Sequence, residues 1–235
     1  MKNIILDQAK EDIPLYFEDF KKFWDTSIGN INEDDFFQAY RATLVFKNWK
    51  VNFHAINLTE FDNILDELYE DINSSFFLAL FGLYRSSYLH MRSSIELGLQ
   101  LIYFIHHPIE FRKWKEGDFV IKHADLSQYI IDHPFFETKV SDLMTLITKN
   151  WKHFSKNIHG ESPAFFQSEK HVRKTNTFSE KDFNIWKGNF FRNIYRINKL
   201  LILFFKNDLN RFPQNSRNII LSLLTDDDLQ LIYPT

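Results

Sequence analysis

The stretch from Phe76 to Ile105, FFLALFGLYRSSYLHMRSSIELGLQLIYFI, constrains the fold more than any other part of the chain. It is apolar on almost every face, which predicts one long helix buried at the centre of a helical bundle. It nevertheless carries Arg85, His90, Arg92 and Glu96, and buried charge is costly unless it is paired. Arg85 and Arg92 are seven residues apart and Glu96 follows Arg92 by four. On a helix all three therefore share one stripe. Such a stripe is either a structural ion-pair ladder or a site.

The rest of the sequence agrees with an all-α reading. Apolar positions recur at helical spacing almost throughout, with no sustained alternation of period two. With 6 Gly and 6 Pro in 235 residues there is little turn chemistry, so long helices with short connections are expected. Apolar residues make up 44% and aromatics 17%, ample for the core of a single domain over 1–235. The absence of Cys excludes disulfides and thiolate metal sites. The segment MKNIILDQAKEDIP is interrupted by Asp7, Glu11 and Asp12 and does not read as a signal peptide. No uncharged apolar run approaches the roughly 18 residues of a membrane span. A soluble, cytoplasmic protein is expected.

Charge is distributed unevenly. Residues 1–75 hold 15 acids and 7 bases, whereas residues 76–235 hold 21 bases and 16 acids. Between Lys149 and Lys174 there are 6 bases, 2 acids and 3 histidines. That polarity suits an anionic ligand on the C-terminal half, or simply a charged surface that keeps an aromatic-rich chain in solution.

Start and stop signals divide the chain further. Phe17, Phe20, Phe23 and Trp24 mark an amphipathic first helix within acidic N-terminal helices spanning 10–58. Asn32 before three acids reads as an N-cap. Thr59 to Asp62 opens a helix toward Ile72, and Ser74 is a candidate cap for the central one. Pro108 suits the first turn of a short helix closed by Gly117. A helix from about Glu137 is expected to end between Asn157 and Gly160, followed by a long loop over 161–178. Ser179 starts another helix through Arg192 and Arg196, and a terminal helix near 216–224 precedes an extended tail.

Several groups could carry chemistry. Arg85 and His90 have an Arg-x4-His spacing; arginine can stabilise developing phosphate charge while histidine moves a proton, the two needs of metal-free RNA cleavage. Five residues on an ideal helix turn about 500°, so His90 lies about 140° around from Arg85. The two converge on one phosphate only across a dimer or at a local distortion. Arg92 and Glu96 form an i,i+4 pair, either a core ion pair or an anion grip in which Glu96 orients Arg92. His153 and His159 flank a helix end, where the dipole favours histidine as a cap; beside Gly160, His159 could equally move a proton or contact a phosphate. His106-His107 and Asp132-His133 have ligand-type side chains but no i,i+4 partner of that type, so no metal is expected. Phosphate loops, nucleophile elbows and zincin motifs do not occur. Trp151, Phe154, Phe165, Phe166 and His171 could stack bases or belong to the core.

The runs RSSYLHMRSSIELGLQLIYF, HPIEFRKWKEG and FSKNIHG together resemble bacterial all-helical proteins related to the HEPN superfamily, over about 60–205. Members are helical bundles, often dimeric, found in toxin–antitoxin, abortive-infection and other phage-defence systems. Many are metal-independent ribonucleases with an Arg-x4–6-His motif. The resemblance implies a homodimer without cofactor, Arg85 and His90 as the catalytic pair, and Ser86 as the polar residue that often follows the arginine. In active members the motif opens a late helix at the dimer cleft, whereas here it falls mid-helix in the first half. On this reading RNA is held by the 149–174 region, with Lys152, Lys156 and Arg173, and by Arg92, Glu96 and His159. The alternatives are a non-catalytic subunit of a defence complex that binds RNA or a partner protein, and a helical bundle that binds a small ligand in an aromatic pocket.

Overall fold

Helix α1 (Glu33–Ala55) starts where its cap residue dictates: the Asn32 side chain accepts from the Asp34 amide at 2.8 Å, and Glu33, Asp34 and Asp35 fill the first turn. A computed structural model describes residues 32–136, 140–159 and 178–233, with Lys10, Glu11, Ile13, Pro14, Glu18, Lys21, Trp24, Asp25, Ser27 and Gly29. The expected first helix falls largely outside these residues. Along α1 the residues Ala39, Ala42, Phe46, Trp49 and Phe53 recur at helical spacing and are buried.

A short 3-10 turn (Thr59–Phe61) leads into α2 (Asp62–Leu80), then α3 (Tyr84–Ile105), α4 (Pro108–Lys115), α5 (His123–Asp132), α6 (Val140–His159) and α7 (Glu180–Phe204). A second 3-10 segment (Lys206–Arg211), α8 (Gln214–Leu221) and α9 (Asp226–Ile232) follow. Among the described residues the fold is all-α, a bundle with no strand. Among them, too, no helix is long and apolar enough to cross a membrane.

The single helix expected over Phe76–Ile105 is in fact two. Phe76 to Leu80 end α2, and the central helix starts at Tyr84. Between them Gly82 takes φ 69°, its amide bonds to the Ala79 carbonyl at 2.9 Å, and the Leu83 amide reaches the Leu78 carbonyl at 2.9 Å. A left-handed residue closing the last carbonyls of a helix ends it. Hydropathy gives no hint of the break because both flanks are apolar. Ser74, expected as a cap, therefore lies inside α2. The chain reverses here, and Ser75 meets Ser87 across the hairpin at 2.8 Å while both hydroxyls are buried. Substituting Gly82→Ala puts a Cβ into a left-handed conformation, and a fall in stability of about 1–2 kcal/mol is expected. Thermal unfolding monitored by circular dichroism measures it; an unchanged midpoint would mean that the turn tolerates another geometry.

Helix α3 packs against α2, α5, α6 and α7 and is the axis of the bundle. Contact with α7 is close at Gly98, where an added Cβ would come within 2.8 Å of Ile197 Cγ2. Buried amides join the same two helices: Asn193 Nδ2 donates to Ser94 Oγ at 2.9 Å. The buried apolar side chains from α1 through α9 form one cluster.

Other boundaries follow their signals. Pro108 opens α4, Gly117 lies just beyond it at φ 82°, and Ser179 accepts from the Asp182 amide at the start of α7. Gly160, the expected cap of α6, lies outside the described residues. The tail expected to be extended is instead helical in α9, because Thr225 and Asp228 form a reciprocal capping box. The Thr-x-x-Asp spacing was the available signal.

Candidate functional site

Arg85, Arg92 and Glu96 share a face of α3, as their spacing requires, and that face meets the C-terminal part of α6. Arg92 Nε donates to Glu96 Oε1 at 3.1 Å, and Trp151 Nε1 donates to the same oxygen at 2.8 Å. The Arg92 guanidinium carbon lies 4.9 Å from the Trp151 ring centroid. The guanidinium is thus fixed by a carboxylate and an aromatic face together. Its Nη1 reaches His159 Nε2 at 3.3 Å. Arginine can only donate, so this contact uses the imidazole Nε2 as acceptor. His159 itself is exposed.

Behind the arginine, His123 at the start of α5 stacks on Trp151 with ring centroids 4.2 Å apart and planes within 5°. Burial pushes the His123 imidazole down to about 4; Glu96 opposes that shift, and Arg92 and Lys152 add to it. Its Nε2 meets Ser127 Oγ at 3.3 Å, while Nδ1 is buried without a hydrogen-bond partner among the described residues. A neutral His123 can stack beside a cation without repelling it. Trp151, covered by His123 and Arg92, positions the guanidinium rather than offering a face to a base.

Arg85 sits at the other end of the cluster. Its Nε donates to the Ile158 carbonyl at 3.0 Å, and Nη2 contacts the same oxygen. This places a second guanidinium against the residue before His159. His90, by contrast, faces α2, where its Nδ1 meets Asp71 Oδ1 at 2.7 Å and the Asp71 carboxylate is buried. Within one chain Arg85 and His90 therefore point to different helices, as the 140° offset requires. The side chains that meet are Arg92 and His159, with Arg85 held at the carbonyl of the residue before His159.

The remaining expectations fall on α6 and beyond. Lys152 and Lys156 are exposed on α6, and Arg173 lies outside the described residues, as does most of the loop over 161–178. His153 packs edge-on against Tyr88 of α3, ring centroids 5.7 Å apart; burial, then Arg192 and Lys156, hold its imidazole below the ordinary range. His106 and His133 stack with centroids 5.1 Å apart, and burial lowers both imidazoles, with repulsion from His107 adding to it at His106 and from His106 and His107 at His133. Among the described residues no group of three His, Asp or Glu side chains is arranged to hold a metal ion.

Sequence reasoning missed the roles of His123 and Asp71. Both act through partners on other helices, 28 and 19 residues away, and no local period signals such pairs. Trp151 and His159 were discernible as aromatic and histidine on one helix, but their meeting with Arg92 is tertiary. No protein-family model matches this chain, and comparison with curated proteins and with solved structures likewise gives no match.

Proposed function

We propose that the protein is a HEPN-like RNA-binding component of a bacterial defence or toxin system, which holds a phosphate of RNA between Arg92 and His159. The observation that carries this reading is the fixed guanidinium: Glu96 and Trp151 hold Arg92 so that its outer nitrogen meets an exposed imidazole 3.3 Å away. A phosphate oxygen entering between them receives charge-assisted hydrogen bonds from a donor that has already lost its side-chain freedom. Arg85 is held one residue away, at the Ile158 carbonyl.

Cleavage by Arg85 and His90 would need the histidine of one chain to face the arginine of another, since His90 is turned to Asp71. Binding alone needs only what converges within one chain.

The test is fluorescence anisotropy with a labelled single-stranded RNA of mixed sequence. Arg92→Ala is expected to weaken binding by roughly ten- to a hundredfold, the loss of a charge-assisted hydrogen bond worth about 1.5–3 kcal/mol. His159→Ala should weaken it less, and His90→Ala should bind as the wild type does. Wild type without saturable binding, or Arg92→Ala with undiminished affinity, overturns the reading. The same RNA run on a denaturing gel reports cleavage; fragments that disappear with either Arg85→Ala or His90→Ala would instead make these two catalytic.

A further inference from the structure

We infer that the exposed face of α6 is a track for the backbone of single-stranded RNA, along which successive phosphates reach the Arg92–His159 pair; the inference rests on the RNA-binding reading of that pair. At 100° per residue, Lys149, Lys152, Lys156 and His159 fall within an arc of about 80° on α6. At 1.5 Å rise per residue, the row from Lys149 to His159 is about 15 Å long. All four side chains are on exposed residues. The row is continuous, and its last member is the histidine that Arg92 contacts.

The three lysines differ from Lys50, Lys187 and Lys199, each of which holds a carboxylate. Lys50 pairs with Asp66, Lys187 with Asp35 and Lys199 with Asp228. Among the described residues, no carboxylate pairs with Lys149, Lys152 or Lys156. A lysine without a partner on a helix face is ordinary; three in one row leave uncompensated charge in a line. The three lysines line a groove of about 600 Å³ together with Thr148, whose hydroxyl can donate to a phosphate oxygen.

The shape of the row selects the strand type. Duplex RNA is recognised by contacts spread over two successive minor grooves and the phosphates between them. A single row of about 15 Å cannot span that distance. It can follow one extended strand, with a lysine for each of about three phosphates.

Salt dependence tests the track separately from the pair. Affinity for the labelled single strand is measured from 50 to 300 mM KCl for wild type, Arg92→Ala and the triple variant Lys149→Gln/Lys152→Gln/Lys156→Gln. Each phosphate contact on a single strand contributes a slope of about 0.7 in log affinity against log salt, so the triple variant should lose about 2 from the slope. A duplex of the same sequence should bind wild type at least tenfold more weakly. Glutamine keeps helix propensity on an exposed face, and an unchanged melting midpoint verifies the fold. Wild-type binding that depends on Arg92 but a triple variant with unaltered slope would overturn the track while leaving the phosphate pair intact. Equal affinity for duplex and single strand would overturn the strand preference. Absence of any RNA binding by wild type would remove the reading on which both rest.

Discussion

Asn198→Leu is expected to lower the unfolding free energy by about 3 kcal/mol, since each buried polar group left without a partner costs about 1–3 kcal/mol. Asn198 is completely buried on α7. Its Oδ1 accepts from Trp49 Nε1 at 2.9 Å, and its Nδ2 donates to the Ile220 carbonyl at 2.7 Å. One amide therefore joins α7 and α8 to α1, whose Trp49 lies 149 residues away. Leucine matches the volume but satisfies neither partner, so the indole N–H and the carbonyl are both stranded. The denaturation midpoint in urea should fall with the slope unchanged. A double-mutant cycle identifies the cause: in a Trp49→Phe background the indole N–H is already gone, and Asn198→Leu should cost less. Additive losses would mean that packing rather than the hydrogen bond is responsible.

The second large effect is expected at the C-terminal helix. Asp228 is buried and accepts from Tyr195 Oη at 2.6 Å, from the Thr225 amide at 3.0 Å and from Lys199 Nζ. Burial alone would raise its carboxyl; the hydrogen bonds from Lys199, Tyr195 and Thr225 outweigh it and hold the group down from 3.8 to about 2. Asp228→Ala leaves the Lys199 ammonium half-buried without its carboxylate and breaks the capping box of α9. Removing one member of such a pair costs about 3–5 kcal/mol. The sign with pH follows from the lowered folded value. The carboxylate stabilises the fold fully above the ordinary value near 4, and that contribution is lost as pH falls from about 4 to 2. A displacement of nearly two pH units corresponds to about 2 kcal/mol. Stability measured from pH 5 to pH 2 should therefore fall less steeply in Asp228→Asn than in the wild type. Parallel curves would mean that other carboxylates dominate the acid limb.

Local physics already present in the sequence determines the helices, most of their caps and the stripe on α3. The period of 3.6 puts Arg85, Arg92 and Glu96 on one face whatever surrounds them, and it equally turns His90 away from Arg85. Asn32, Pro108 and Ser179 mark helix starts through hydrogen bonds and backbone angles that need no distant residue. The break at Gly82 is different: apolar residues on both sides made one helix and a hairpin look alike, and only the packing of α2 against α3 chose between them.

The site itself belongs to the tertiary structure. Arg92 could have been a buried structural charge; what makes it a candidate hydrogen-bond donor to an anion is the arrival of Trp151 and His159 from α6, 59 and 67 residues away. Arg85 and His90 carry the motif spacing, yet the fold gives one to the Ile158 carbonyl and the other to Asp71. Sequence spacing fixes the direction in which a side chain leaves its helix. Which partner it meets there depends on how the helices pack, and that is set by the buried apolar faces rather than by the charged residues they bring together.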